Sequence, residues 1–160
     1  MRKNEYIQDT IVSRGQCDSL IRFKTESIFM TFQDVASRHA IHLGVDDSSL
    51  LKNDNAMWVV SKTKVKINEL PLWNDDITIR TWPMGAEGVR CNRCYQIIKD
   101  GDILINGITE WVIIDATTRT LRRIETTSYP DNIDWIKEKS IEDRFRRFKD
   151  DFLVFCRRAR

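Results

Sequence analysis

The stretch from Thr25 to Leu43 carries apolar residues at helical spacing, and no other feature of the chain constrains the fold as strongly. On a helical wheel centred on Phe32, at about 100° per residue, the apolar and small residues fall within about 80° of the centre. These residues are Ile28, Phe29, Val35, Ala36, His39, Ala40 and Leu43. Thr25 suits the N-cap, and Gly44 suits the left-handed residue that follows a helix. The stretch therefore predicts one helix that buries one face along its whole length.

Segments that read as β-strands flank this helix on both sides. Alternating apolar and polar residues predict strands at 6–14 before the helix and at 56–68, 76–83, 89–98, 103–115 and 120–124 after it. Asp100-Gly101 is a strong hairpin signal. The strand at 56–68 is unusually long, so we expect a bulge or strong curvature in it. Residues 46–55 read as a loop with at most one helical turn.

This order of elements predicts an α+β fold in which the helix lies against one antiparallel sheet, because hairpin-sized loops join most of the strands. A single long central helix wrapped by a curled antiparallel sheet of five to six strands is the hot-dog fold. Such a fold leaves an apolar groove between helix and sheet, which favours a long acyl chain as the ligand.

We expect the hot-dog domain to span residues 1–128. The tail, 129–160, is predicted to be an amphipathic helix packed on the domain or on a partner chain, or else a linker to a further domain. Its apolar residues recur at helical spacing, at Ile141, Phe145, Phe148, Phe152 and Phe155.

Composition excludes several classes of protein. A formal net charge of +2 does not by itself indicate nucleic-acid binding. No apolar run approaches the roughly 20 residues that cross a bilayer, so no membrane span is predicted. The sequence MRKNEYIQDT has no apolar signal core, which favours a cytoplasmic location.

Four cysteines, at 17, 91, 94 and 156, raise the question of a metal or redox site. Cys91 and Cys94 form a CxxC pair, but a structural zinc site needs a second ligand pair of similar spacing. Both also lie in a predicted strand, where positions three apart face opposite sides of the sheet. We therefore predict free structural thiols and neither metal nor cofactor.

Two polar residues of the helix are candidates for catalysis, although no second group can be placed beside either. His39 lies on the predicted buried face, where a histidine acts as a general base or simply bonds to the sheet or a loop carbonyl. Gln33 lies at the edge of that face. Asp34 is expected to form an exposed ion pair with Arg38, four residues on. Asp18, before the helix, is a weaker candidate for a site near the helix N-terminus.

Large apolar residues are the candidates for an acyl pocket, and the same residues would otherwise fill the core. We expect this pocket to be lined by Phe29, Phe32, Ala36, His39, Ala40, Met57, Trp58, Trp82 and Trp111. Lys62, Lys64 and Lys66 alternate along one strand. They fit either a solvated, lysine-protected sheet surface or a region that steers an acidic carrier protein.

Three longer segments resemble one known family. They are FQDVASRHAIHLGV (32–45), MWVVSKTKVKINELPLWNDDITIRTWP (57–83) and GVRCNRCYQIIKDGDILINGITEWVIIDATTRTLRRI (88–124). In their order and motifs these segments are similar to the N-terminal hot-dog domain of acyl-ACP thioesterases, over roughly residues 5 to 130.

The resemblance implies hydrolysis of fatty acyl thioesters on acyl carrier protein or CoA, in fatty acid biosynthesis. Enzymes of that family usually carry two hot-dog domains, with catalytic residues around an Asp-x-Asn-x-His motif in the second. No Asn-x-His occurs in this chain, so no catalytic residue transfers. We therefore expect either a thioesterase that pairs as a homodimer, or a non-catalytic acyl-binding domain or truncated half-enzyme.

Overall fold

The computed structural model describes residues 3–145. The elements in chain order are β1 (Tyr6–Ile11), α1 (Thr25–Leu43), α2 (Asp47–Asp54), β2 (Ala56–Ile67), β3 (Asp76–Glu87), β4 (Arg90–Lys99), β5 (Asp102–Asp115) and β6 (Leu121–Arg122). The five long strands form one antiparallel sheet in the order β1-β3-β4-β5-β2, and β6 pairs with the end of β5. The predicted α+β arrangement, with one long helix against an antiparallel sheet, is confirmed.

Helix α1 has the predicted length, but its buried face is rotated relative to the wheel. The N-cap is Lys24 and not Thr25, and Gly44 takes the left-handed conformation with φ 71°. Ser27 and Thr31 are buried, whereas Phe29 is 44% exposed. The reason lies outside the helix: the preceding loop packs on the Ser27 side, where Ser27 Oγ donates a hydrogen bond to the carbonyl oxygen of Gln16 at 2.9 Å.

The opposite flank of α1 is open in consequence, and Met30 and Ile41 are exposed on it. Between residues 3 and 145 there is no helix long and apolar enough to span a membrane.

Residues 46–55 differ from the prediction, because Asp47–Asp54 form two turns of helix α2. This short helix is fixed by one fully buried side chain, Leu50, and by Asn55 in the left-handed conformation at its end. Its two apolar residues, Leu50 and Leu51, are adjacent and give no helical periodicity to detect, which explains why the sequence reads as a loop.

Strand β2 contains the expected bulge. Val60 pairs with Trp111 and Lys62 pairs with Glu110, so Ser61 is the extra residue. The bulge reverses the alternation, so that Trp58 and Val65 both face α1 while Lys62 and Lys64 face the other side of the sheet. The simple alternation of the sequence, which places Trp58 on the lysine side, is wrong for this reason.

The outer face of the sheet, away from α1, is covered by the tail. Trp82, Cys94 and Ile108 pack there against Ile141. Trp82 Nε1 donates a hydrogen bond to the carbonyl oxygen of Glu138 at 2.8 Å. From 129 to 145 the tail has no helix, which corrects the prediction over that stretch. The segment crosses the sheet in irregular conformation. Phe148, Phe152 and Phe155 lie outside the described residues.

Candidate functional site

A cavity of about 240 Å³ opens between the second half of α1, the start of α2 and the inner face of β4 and β5. It is lined by Ala36, Ser37, Ala40, Ile41, Val45, Asp46, Asp47, Ser48, Trp58, Cys91, Arg93, Trp111 and Tyr129. Its walls are mostly apolar, and the two aspartates belong to the start of α2 at one side. The cavity is the groove that the hot-dog arrangement predicts.

Three aromatic rings shape the cavity wall. Trp58 meets Trp111 edge to face, with ring centroids 6.2 Å apart, and meets Tyr129 in the same way at 5.9 Å. Trp58 Nε1 donates a hydrogen bond to the carbonyl oxygen of Val45, which fixes its ring across the loop between the helices. These contacts explain why the space persists: rigid rings propped against one another cannot collapse into it.

Four of the predicted pocket residues line this cavity: Ala36, Ala40, Trp58 and Trp111. The other five do not line it: His39 is buried beside Arg93, and four lie elsewhere. Phe32 stacks on Tyr95 in the core, with ring centroids 4.3 Å apart, and Trp82 lies on the opposite face of the sheet. The sulfur of Met57 accepts a hydrogen bond from Arg119 Nη1.

Phe29 is the fourth, on the open flank of α1. Phe29 lies outside the cavity because the buried face of α1 is rotated. Trp82 lies outside it because its side chain points to the outer face of the sheet.

His39 is fully buried and both of its ring nitrogens are occupied. Nε2 lies 3.1 Å from the carbonyl oxygen of Lys3, and Nδ1 lies 3.1 Å from Arg93 Nη1. A guanidinium only donates, so Nδ1 accepts and the proton sits on Nε2, which donates to Lys3. Burial, and next the charge of Arg93, lower the pKa of His39 to about 3. Neutral and with no free lone pair, His39 holds Arg93 in place and is not a general base in this arrangement.

Arg93 is the one cationic residue among those that line the cavity, and only 7% of it is exposed. Its hydrogen bonds leave from Nη1, to His39 Nδ1 and to Thr81 Oγ1 at 3.3 Å. Within residues 3–145 no carboxylate forms an ion pair with it. The other nitrogens of the guanidinium are left for the cavity.

The groups around Arg93 that carry a proton all keep it at neutral pH. Burial raises the pKa of the Cys91 and Cys94 thiols and of the Tyr95 phenol, and it raises the pKa of Tyr129 well above its ordinary value. Cys91 Sγ and Tyr129 Oη are 3.4 Å apart. None of these groups supplies a negative charge to Arg93.

The remaining polar candidates, Gln33, Asp34 and Asp18, do not line the cavity. Gln33 is exposed on the open flank of α1, and Asp34 pairs with Arg38 at 2.9 Å, both half-exposed, as predicted. Asp18 accepts hydrogen bonds from the backbone of Leu20 and Arg22, which closes its own loop.

The two cysteines of the CxxC pair and the lysines of β2 lie on defined faces of the sheet. Cys91 faces the cavity and Cys94 the outer face, so the two thiols lie on opposite sides of the sheet as expected. Lys64 Nζ donates to the carbonyl oxygens of Asp143 and Arg144, which fastens the tail.

Sequence reasoning missed Arg93, Cys91 and Tyr129 as residues of the site. A signal for the first two existed: in β4 they alternate with Tyr95 and share its inward side. An arginine at an inward position of a central strand is unusual enough to mark a site. Nothing local marks Tyr129, which reaches the cavity only through the path of the tail.

Comparison with known proteins gives a consistent result. The family model described as the acyl-ACP thioesterase N-terminal domain matches residues 3–130. The oleoyl-acyl carrier protein thioesterase 2 of Arabidopsis thaliana, a chloroplastic protein, is 25% identical over 139 residues, which cover 82% of this chain and 32% of that protein. The palmitoyl-acyl carrier protein thioesterase of Cuphea hookeriana is 28% identical over 107 residues, covering 62% and 26%. The chain thus spans about a quarter to a third of these curated relatives.

Solved structures support the same fold. An acyl-ACP thioesterase from Bacteroides thetaiotaomicron superposes with a TM-score of 0.75 at 19% identity, covering 91% of this chain and 60% of that chain. The 12:0-ACP thioesterase of Umbellularia californica gives 0.74 at 17% identity, covering 92% and 61%. At these identities the likeness establishes the hot-dog fold.

Proposed function

Because the chain belongs to the acyl-ACP thioesterase family, through the N-terminal domain of that family, we propose that it holds the acyl chain of fatty acyl thioesters carried by acyl carrier protein while they are hydrolysed. The observation that supports this is the cavity between α1 and the sheet, walled by Trp58, Trp111 and small helix residues. An apolar cleft with a few polar groups suits an alkyl chain attached to a polar head.

The size of the cavity favours a medium-length chain. An apolar cavity of about 150 Å³ binds benzene, a ligand of six carbons. By this comparison a cavity of about 240 Å³ holds about eight to ten carbons. On the helix side the acyl chain would lie against two small residues, Ala36 and Ala40, so these two positions set the width of the site.

The hydrolytic step is proposed to need a second hot-dog unit. Both nitrogens of His39 are used within the fold, and Gln33 is exposed and does not line the cavity. A second copy of this chain would supply that unit by pairing with the outer edge of β2, which has no strand beside it among the described residues. Val59 and Val60 on this edge are 38% and 36% exposed. A C₂ pair of this kind extends one sheet across both copies.

A second candidate function is acyl binding without turnover by this chain. The specific observation in its favour is the His39–Arg93 hydrogen bond, which removes the buried histidine from general-base chemistry.

The two functions separate in one experiment with octanoyl- and palmitoyl-loaded acyl carrier protein and with octanoyl-CoA. Binding is followed by tryptophan fluorescence, fatty acid release by mass spectrometry, and oligomeric state by light scattering. We expect binding of the octanoyl thioesters and a dimer. Release that Gln33→Ala abolishes while binding persists would assign the chemistry to this chain, and binding without release would assign it the binding role. Absence of any binding would refute the acyl-holding proposal.

A further inference from the structure

Within residues 3–145 no carboxylate forms an ion pair with the buried guanidinium of Arg93. Arg93 is held by His39 and Thr81, which are both neutral. An unpaired charge in an apolar site is costly, whereas a buried charge that meets an anion with good geometry recovers much of the desolvation penalty. Burial of this charge therefore makes the folded protein less stable, and a negatively charged ligand bound to Arg93 would offset that loss of free energy.

The other charged residues near the cavity do not remove this need. Asp46 and Asp47 line its far side, at the start of α2, and neither forms an ion pair with Arg93. Asp46 instead accepts a hydrogen bond from Ser49 Oγ at 2.5 Å. Cys91 and Tyr129, which line the cavity with Arg93, stay neutral because burial raises the pKa of each.

The position of Arg93 defines what kind of anion fits. Arg93 belongs to strand β4, and its side chain lines the same cavity as Trp58 and Trp111. A ligand that reaches it must present an anionic head to the guanidinium and an apolar body to the rings. A guanidinium has five N–H donors in a planar fork, and this fork matches a carboxylate.

We propose that the cavity is a receptor for a free medium-chain fatty acid, whose carboxylate binds Arg93 while its alkyl chain lies between the tryptophans and α1. This rests on the proposed function for the apolar part of the site, and it adds that the site prefers the free acid to neutral acyl compounds. The released acid thus competes with the thioester for the same space, and the domain senses the product of the hydrolysis.

His39 is the positioning residue in this arrangement. By accepting from Nη1 it fixes one side of the guanidinium, so the remaining N–H groups are directed at the ligand. Since its lone pair at Nδ1 faces a permanent cation, it stays neutral and contributes no competing positive charge.

The test measures binding of octanoate and of 1-octanol, which share chain length and differ in charge, to the full chain at pH 7.5 by calorimetry and tryptophan fluorescence. We expect octanoate to bind at least about tenfold more tightly, and Arg93→Met to remove that preference while octanol binding persists. Arg90→Met is the matched control, because Arg90 lies on the same strand with an exposed side chain and does not line the cavity. It should keep the preference.

A second measurement needs no variant. Octanoate labelled with ¹³C at the carboxyl group is titrated in complex with the protein, and we expect the pKa of the bound acid to lie below that of the free acid, because Arg93 stabilises the anion. Equal binding of acid and alcohol, or an unchanged carboxyl pKa, would overturn the receptor proposal while the acyl-holding function stands. Binding of neither compound would overturn both.

Discussion

Phe32 lies directly on Gly107, and the fit leaves no room for a side chain at that position. A Cβ added to Gly107 would overlap Phe32 Cε2 and lie 2.7 Å from Cζ. At this contact α1 packs on β5, and on the other face Ser140 Oγ donates to the Gly107 carbonyl oxygen. Helix, sheet and tail therefore meet at one glycine.

Gly107→Ala should destabilise the protein by about 1–3 kcal/mol, because the ring of Phe32 must move out of its stack on Tyr95. The measurement is the free energy of unfolding in urea. Gly15→Ala is the matched control, since no atom lies within 4 Å of the added Cβ. It should change stability by less than about 0.5 kcal/mol. A neutral Gly107→Ala would show that α1 does not lie this close to β5.

Stability should fall as the pH drops below the ordinary range of histidine. In the folded state the pKa of His39 is lowered to about 3 from 6.5, so between these values the unfolded chain binds a proton that the native state excludes. The stabilising contribution is complete above pH 6.5 and is lost as the pH falls. The loss amounts to about 2–3 kcal/mol over two pH units.

His39→Gln isolates this contribution, because glutamine offers one acceptor to Arg93 and one donor to Lys3 without titrating. Unfolding measured at several pH values should show a shallower pH dependence for the variant, by about one proton. The carboxylates titrate in both proteins, so their contribution cancels when the pH dependence of the variant is compared with that of the parent chain. Identical slopes would mean that His39 is protonated, or solvated, in the folded protein.

The tail should contribute to stability through Ile141. This side chain is 7% exposed and packs on Trp82, Cys94 and Ile108. Ile141→Ala should cost about 2–4 kcal/mol of unfolding free energy. The neighbouring Glu142 is exposed, so Glu142→Ala should be nearly neutral. If both variants unfold like the parent chain, the tail does not rest on the sheet.

A larger residue at position 40 should shorten the acyl chain that binds. Ala40 lines the cavity from the helix side, and a leucine there would occupy space now open to the ligand. We expect Ala40→Leu to weaken binding of octanoyl-CoA by about tenfold while hexanoyl-CoA is less affected. Ala40→Ser keeps the volume and serves as the control. Equal losses for both chain lengths would place the alkyl chain elsewhere.

Much of the fold could be predicted from local patterns. The apolar stripe of α1 and the Asp100-Gly101 turn, with both residues at positive φ, are each encoded within a few residues. The bulge at Ser61 was expected from strand length, but its position was not, and that position decides on which side Trp58 lies. One inserted residue reverses every side chain beyond it, and alternation alone carries no mark of where this happens.

One amphipathic helix against a curled antiparallel sheet could be expected from local patterns, because periodicity and turn chemistry act between near neighbours. The set of side chains that surround the cavity depends on how distant segments pack together. Arg93, His39 and Tyr129 come from a strand, a helix and a tail that are distant along the chain, and the burial that keeps His39 and Tyr129 neutral beside the charged Arg93 arises where these elements meet. Charge and solvation at a site are collective properties of the packed chain, so no local pattern encodes them.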